Sequence, residues 1–491
     1  MSVINKVVHI ILTFVGRQIF LQILTVEYLG INGLFGNILN MLSLADLGIA
    51  TAMSFSFYKP LADNDVDKLA ALVGFYRKVY NTIAAFVAVT GLALTPFLGY
   101  IVNLETDIPY IRVYYLIALA NTVISYLFVY KATIITADQN KRVVTRYSMT
   151  MSILGLFLQL IILVTTRSFM LYSLVSIFTT LTNNLLISKK AAKLYPFIKQ
   201  KVELQPDDRK AIFTNIKSMF IFKISSVIFQ GTDNIFISIL VSTAMVGRYE
   251  NYRLPVSNLS SFALIVFASL TPSIGNLVVK EPPEKRMKVF KVMQTVSYWI
   301  GGFFVFCLYF LIDEFVVLWL GADFSFDFFT KTAILLDFYL LITLYPIYAF
   351  REATGIYQKT KYAMVAAAAL KIILSILLGM RFGVAGLLLA TTVSKLLTYA
   401  WYEPKLLFRD FLGGSAVSYL TGHLLNFAML LAGIALFELF LPWKGGAGWL
   451  IWIVKGVVYS IIINAVYFLR FFKTPEFNDV IQKAKSLLKR A

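Results

Sequence analysis

The chain has 491 residues, of which 59% are hydrophobic and only 14% charged, with a formal net charge of +19. A soluble globular protein averages about 45–50% apolar and about 25% charged residues, so the composition excludes a soluble globule and a disordered chain. Its single cysteine, Cys307, excludes a disulfide scaffold, and two histidines leave little for a zinc site. The composition is that of a polytopic membrane protein.

Apolar stretches of about 20 residues are long enough to cross a bilayer as helices. The sequence contains fourteen and leaves no loop large enough for a soluble domain, so it predicts an all-α membrane protein with about 14 transmembrane helices. The first run, led by Lys6, lacks a small-residue cleavage site and is taken as a retained helix. The spans are centred near Val15, Leu44, Ala88, Ile124, Gly155, Phe178, Val227, Phe262, Phe303, Leu341, Leu370, Ala390, Met429 and Val458.

Two short segments recur at half-chain spacing, which indicates an internal repeat. Phe128–Thr133 is similar to Ala349–Thr354, and Gly30–Leu34 is similar to Gly247–Asn251, at offsets of about 221 and 217 residues. Both pairs keep the same membrane side, so the repeat is parallel; chance similarity between apolar helices is the alternative. We therefore predict a six-helix lobe over 1–200, a second six-helix lobe over 201–405, an additional helix pair over 406–472 and a basic cytoplasmic tail over 473–491.

The distribution of basic residues predicts the orientation. With the N-terminus inside, thirty-one Lys and Arg lie in cytoplasmic segments and six in outer loops. This asymmetry places both termini in the cytoplasm. It also explains the net charge, so no nucleic-acid partner is expected. The basic stretch Lys483–Arg490 is expected to lie on the anionic inner leaflet.

Several charged residues lie deep within the predicted spans. Each costs roughly 2.5–3.5 kcal/mol at a helix centre, so they should face a cavity or a partner. The excess of basic residues favours an anionic substrate group, phosphate or carboxylate, and the acids are candidates for coupling to Na⁺ or H⁺. A static salt bridge is the alternative for each. Lys131, Arg351, Glu352 and Lys455 lie nearer helix ends, where they can snorkel, and carry less weight. The deep residues are Arg17, Lys223, Arg253, Lys371 and Lys395, with Asp46, Asp233 and Asp337.

The seventh span carries a polar stripe. Lys223, Ser226, Gln230 and Asp233 stand at i, i+3, i+7 and i+10, which places them on one helix face. A polar face on an apolar helix meets water or polar groups of another helix. Gln230 therefore joins the candidate substrate-binding residues, and interhelical hydrogen bonding is the alternative.

Several segments, in order along the chain, carry a family resemblance. They are Tyr28–Phe35, Leu42–Ile49, Phe57–Ala62, Tyr76–Lys78, Gly231–Asn234 and Gly247–Tyr252. In these the chain resembles the Wzx-type polysaccharide repeat-unit flippases, the O-antigen and capsule transporters of the multidrug/oligosaccharidyl-lipid/polysaccharide exporter superfamily.

The resemblance implies a non-enzymatic function. Two lobes would enclose a cavity and, by alternating access, move a polyprenyl-pyrophosphate-linked oligosaccharide to the outer leaflet of the bacterial cytoplasmic membrane. By the same resemblance, Arg17, Lys223 and Arg253 would engage the pyrophosphate. It further implies cation coupling without a bound cofactor, and contact with membrane lipids, a polysaccharide polymerase and the chain-length machinery.

Two other functions stay open at this point. A cation-coupled multidrug exporter of the same superfamily would be expected to have a net acidic interior. A membrane polysaccharide polymerase would be expected to need a sizeable outer loop or a carboxylate cluster at the interface, and the sequence shows neither.

Overall fold

The computed structural model describes residues 2–43, 49–200, 202–268, 271–440, 443 and 448–488. Within them the chain is helical and has no strand, which confirms an all-α polytopic fold. The chain divides into two compact units, residues 1–247 and 248–491, so the division falls later than the predicted lobe boundary at 200.

The first unit contains eleven helices within the described residues. They are α1 (Ser2–Ile23), α2 (Val26–Leu42), α3 (Ile49–Ala62), α4 (Val66–Leu94), α5 (Leu98–Ile101), α6 (Ile111–Tyr126), α7 (Val129–Ala137), α8 (Lys141–Thr166), α9 (Phe169–Leu194), α10 (Pro206–Gly231) and α11 (Asp233–Leu240).

The helix α12 (Thr243–Ala268) crosses from the first unit into the second. The remaining described helices follow it. They are α13 (Thr271–Lys280), α14 (Pro283–Leu320), α15 (Phe328–Thr343), α16 (Tyr345–Thr354), α17 (Tyr357–Leu397), α18 (Tyr399–Leu407), α19 (Ala416–Phe440), α20 (Trp449–Phe471) and α21 (Pro475–Leu488).

The apolar spans agree with most of the predicted ones. Thirteen of the fourteen predicted centres lie in these helices, and the fourteenth, Leu44, lies outside the described residues. By length and composition, eight described helical segments can cross a membrane, or ten if each of two bent helix pairs counts as one span. The segment Tyr357–Leu412 contains two predicted spans, centred near Leu370 and Ala390. Its helix α17 is kinked between them at Gly383, where the backbone angles are non-helical, with φ +58°. The count of fourteen stays a prediction.

The first unit extends past the predicted boundary because α10 and α11 pack against its earlier helices. α10 contacts α2 and α3, and α11 contacts α2 and α5. A Cβ on Gly30 would lie 1.9 Å from the carbonyl oxygen of Thr243, and one on Gly247 would lie 2.3 Å from that of Val26. These two glycines therefore allow α2 and the start of α12 to meet backbone to backbone.

Among its described helices, each unit contains a sharply bent pair that is apolar enough to cross a membrane. In the first unit α6 and α7 are bent by 42°, and in the second α15 and α16 are bent by 44°. The pairs begin at Ile111 and Phe328 and end at Ala137 and Thr354, an offset of 217 residues at both ends. This offset agrees with the spacing of the similar sequence segments.

In the second unit, the 38-residue α14 packs against α15, α20 and α21. The indole nitrogen of Trp299 donates to Asn464 Oδ1 over 2.7 Å, which ties α14 to α20. α21 docks on the same helix through Lys288 and Asp479 at 2.9 Å and through stacking of Phe477 on Trp299. The predicted tail over 473–491 thus begins with a docked helix.

Candidate substrate and ion sites

Arg17 is half-buried on α1, in the first unit. It interacts electrostatically with Tyr172 on α9. Tyr172 also lines a cavity of about 290 Å³ between α2, α6, α8 and α9. The polar side chains around this cavity are Asn32, Asn121, Thr122, Gln159, Tyr172, Ser173 and Ser176. The tyrosine therefore connects the predicted phosphate-binding arginine with a polar interior.

The polar stripe of the seventh span is interrupted. Lys223, Ser226 and Gln230 lie on α10, where Gln230 Nε2 donates to Ser226 Oγ over 2.9 Å. Asp233 begins the separate helix α11 after Thr232, so the four residues do not lie on one uninterrupted helix. The break follows Gly231, where a Cβ would lie 2.7 Å from Met41 Cγ of the packed α2. Asp46 lies outside the described residues.

Two predicted residues of the second unit form an ion pair. Lys395 Nζ on α17 lies 2.5 Å from Asp337 Oδ1 on α15, and Lys395 is only 8% exposed. They are predicted in different roles, one in substrate binding and one in ion coupling. The structure brings Lys395 and Asp337 together, as the alternative of a static salt bridge expects. Their roles in substrate binding and ion coupling stay predictions.

A second buried pair was not among the predicted sites. Arg351 Nη1 on α16 lies 3.1 and 3.2 Å from the two carboxylate oxygens of Glu403 on α18. Glu403 is 1% exposed and also accepts a hydrogen bond from Thr360. The pair connects α16 with α18, and the hydrogen bond from Thr360 adds α17. A signal for Arg351 existed, because it lies in the repeated segment, but its place near a helix end reduced its weight.

Two tyrosines connect these pairs. Tyr348 and Tyr399 hydrogen-bond to each other, and both interact electrostatically with Asp337 and Glu403. The tyrosines therefore link the Arg351–Glu403 pair with the Lys395–Asp337 pair in the second unit. Arg351 also contacts the more exposed Glu352, at 3.3 Å.

Lys371 and Ser375 lie one turn apart on α17, and their exposures are 0% and 1%. This burial agrees with the expectation that Lys371 lies deep. The Arg253 side chain is more exposed, at 47%, and its predicted role in substrate binding stays a prediction. It lies on α12 at 2.8 Å from Glu250, three residues earlier on the same helix.

A further charged cavity of about 500 Å³ lies in the second unit between α14, α15, α19 and α20. Lys331 Nζ lies 2.7 Å from Asp313 Oδ2, and Lys455 pairs with Glu314. Lys455 is 3% exposed, so it is buried rather than snorkelling as its position in the sequence indicated. Within the described ranges, no group of three or more His, Cys, Asp or Glu side chains could hold a metal ion.

No protein-family model matches the sequence, and no curated protein matches it. Solved structures do. The chain is similar to the lipid II flippase MurJ in an inward closed conformation, with a TM-score of 0.62, 15% identity, and 96% of this chain and 99% of that one covered.

Two multidrug transporters are also similar. For an inward-facing MATE family transporter of the MOP superfamily, the TM-score is 0.59 and the identity 14%, and the match covers 82% of this chain and 97% of that transporter. The MATE multidrug transporter DinF-BH has a TM-score of 0.57, 16% identity, and covers 83% of this chain and 93% of its own. At these identities the likeness shows the fold: the chain is a multi-pass membrane protein with the fold of these transporters.

Proposed function

We propose that the chain is a flippase that moves a polyprenyl-pyrophosphate-linked oligosaccharide from the inner to the outer leaflet of the bacterial cytoplasmic membrane. Alternating access exposes the cargo first to one side and then to the other. The chain catalyses no covalent reaction. A polysaccharide polymerase and the chain-length machinery would receive the cargo on the outer side.

The extent of the structural likeness carries this proposal. The likeness to the lipid II flippase covers 96% of the chain, whereas the two MATE transporters cover 82% and 83%. A fold match that includes nearly the whole of both chains favours a lipid-linked cargo over a drug.

Two of the predicted cations give a second line of support. Arg17 lies next to the polar cavity of the first unit through Tyr172, and Lys371 is fully buried in the second. A cation at or near a polar interior can form charge-assisted hydrogen bonds with a pyrophosphate group during transport. Lys223 on α10 is half-buried and is a further candidate.

The runner-up is a cation-coupled multidrug exporter. One observation favours it: Lys395 and Arg253 pair with Asp337 and Glu250, which reduces the excess of positive charge inferred from the sequence. In either function, we propose that Asp233 and Asp337 take part in coupling to Na⁺ or H⁺, together with Asp46.

The function can be tested in proteoliposomes that contain a fluorescent polyprenyl-pyrophosphate oligosaccharide. A membrane-impermeant quencher then reports the outer-leaflet fraction over time. Wild-type protein should accelerate flipping, and Arg17→Ala should reduce the rate about tenfold or more because a charge-assisted contact to phosphate is lost. Arg17→Lys should keep part of the rate, since the charge remains but the bidentate fork is lost.

The matched control is Arg112→Ala, which removes an exposed arginine from α6 of the same unit. It should flip cargo at the wild-type rate. Equal flipping by well-folded Arg17→Ala and wild-type protein would remove Arg17 from the site. No acceleration by wild-type protein would overturn the flippase proposal itself.

A further inference from the structure

A large cavity of the first unit lies outside the sites described so far. It encloses about 660 Å³ between α4, α7, the residues 198–200 and 202–204 after α9, and the start of α10. This volume is typical of a pocket for a small ligand or headgroup. Its charged lining consists of Arg77, Lys78, Lys131, Lys199, Arg209 and one acid, Glu203.

The cations of this cavity make no ion pair with an acid of the described chain. Other cations at the same predicted membrane side are paired: Lys68 lies 3.0 Å from Asp208, and Lys359 lies 2.7 Å from Asp410. The positive-inside rule explains why basic residues occur on this side. It does not explain why five of them converge on one concavity whose lining contains a single acid, Glu203.

The nearby acid Asp138 is engaged elsewhere. Its Oδ2 accepts a hydrogen bond from the Tyr195 hydroxyl at 2.6 Å and another from Asn140 at 3.1 Å. Burial and the bond to Asp138 raise the pKa of Tyr195, so this tyrosine stays a neutral donor. The carboxylate is thus held at α7 and α9 rather than directed to the cavity.

Two of the cations are held in place. Lys131 Nζ donates to Ser188 Oγ on α9 over 2.5 Å, and the Arg209 guanidinium lies 5.9 Å from the ring centre of Phe75. Arg77 and Lys131 are close enough for their like charges to repel. Like charges at close range cost free energy, and an anion between the cations would relieve that cost.

The cavity lies at the level of the lipid headgroups, as judged from the uncharged runs of the sequence. Lys78 directly precedes the uncharged run 79–101, and Lys131 directly follows the run 113–130. The run 168–188, which ends at Ser188, borders the same level. Runs of this length span the hydrocarbon core, so their charged borders lie at the interface where lipid phosphates are found.

We propose that this cavity is a second anion site that binds a phosphate group, supplied by an anionic lipid headgroup or by a soluble phosphate. The five cations provide charge and donors for a dianionic or bridging phosphate, and the arginines can bind it with two parallel hydrogen bonds. The site lies within one unit and is independent of the transported cargo. A lipid held here would anchor the predicted cytoplasmic end of α4, α7 and α9.

The test uses the full-length purified protein and two ligand sources. In the first arm, native mass spectrometry measures how much phosphatidylglycerol stays bound after titration in detergent. In the second, inorganic pyrophosphate is titrated against the protein in phosphatidylcholine nanodiscs, and the melting temperature is recorded, since a ligand of the folded state raises it.

Arg77→Gln/Lys131→Gln is compared with the matched control Lys141→Gln/Arg142→Gln. The control removes the same charge from the exposed start of α8, outside the cavity lining. We expect at least one ligand to bind wild-type and control protein equally and the cavity variant about tenfold or more weakly. Arg77→Gln alone, at an exposed position, gives the same comparison should the double variant fold poorly.

Loss confined to the lipid arm identifies a headgroup site, and loss confined to the pyrophosphate arm identifies a site for soluble phosphate. Binding of neither ligand to wild-type protein overturns the proposal. Equal weakening in the cavity and control variants overturns it as well, because it would show attraction by total charge rather than by this cavity.

Discussion

The two bent helix pairs have similar bend angles, but the basic residue on the second helix of each pair has different contacts. Each pair carries one cation on its second helix, Lys131 in the first unit and Arg351 in the second. Arg351 is neutralised by the buried Glu403, whereas Lys131 is held by the hydroxyl of Ser188 and lies near Arg77. The same backbone element thus carries a residue of a buried ion pair in the second unit and a residue of the cationic cavity in the first.

The largest effect should come from breaking the closed pair. Glu403→Gln removes the buried carboxylate that accepts two hydrogen bonds from Arg351, and breaking a buried ion pair costs about 3–5 kcal/mol of folding free energy. We expect the variant to have a markedly lower melting temperature than wild-type protein in detergent. Intrinsic fluorescence recorded during heating measures this temperature.

Glu352→Gln is the control for this pair. Glu352 also contacts Arg351, at 3.3 Å, but its side chain is 47% exposed, and removing it should cost about 0–1 kcal/mol. Equal melting temperatures for the two variants would contradict the assignment of Glu403 as the structural partner.

The Asp337–Lys395 pair should be the next most sensitive. Asp337→Asn leaves the mostly buried Lys395 without its acid, which we expect to cost about 1–3 kcal/mol. Adding Lys395→Gln should recover part of that loss, and a double-mutant cycle measures the recovery. Additive losses would show that the two residues do not stabilise each other.

An acid introduced next to Lys131 would give this lysine an ion pair like the one that Arg351 forms with Glu403. Ser188→Asp places a carboxylate beside Lys131, so phosphate binding should weaken about tenfold, since an internal counter-charge competes with the ligand. Ser188→Asn introduces a side chain of the same size as aspartate without the charge and should keep the binding. Equal binding by the two variants, in the titration used for the cavity, would argue against Lys131 as a ligand.

The smallest effect is expected at Arg253. It is 47% exposed and pairs with Glu250 on its own helix, so Arg253→Gln should change the free energy of unfolding by about 0.5 kcal/mol or less. If Arg253 engages the pyrophosphate, the same variant should still slow flipping in proteoliposomes. Unchanged flipping would assign Arg253 to a surface pair alone.

Hydropathy was sufficient to predict most of the fold. Thirteen predicted span centres lie in helices because long uncharged runs have few alternatives in a bilayer. The repeat was also visible, at the offset that the bent pairs later show. The division after Gly247 could not be predicted, because it follows from the packing of α10 and α11 against α2, α3 and α5, which the spacing of charges does not report.

The charged sites were predictable only in part. Deep position alone identified Lys371 and Lys395 as buried, but it gave no information on partners. Glu403 lies 52 residues after Arg351, and nothing in the local pattern of either indicates the pairing. The basic cavity could not be predicted for a related reason: each of its cations, taken alone, is explained by the positive-inside rule.

The most direct test of the proposed function compares two cargoes in the same proteoliposomes. One is a fluorescent polyprenyl-pyrophosphate oligosaccharide, and the other is a cationic rhodamine dye. A flippase should accelerate movement of the lipid-linked oligosaccharide in an Arg17-dependent manner and leave the distribution of the dye unchanged. Transport of the dye under an imposed Na⁺ or H⁺ gradient, without movement of the lipid-linked oligosaccharide, would contradict the flippase proposal and establish the drug exporter in its place.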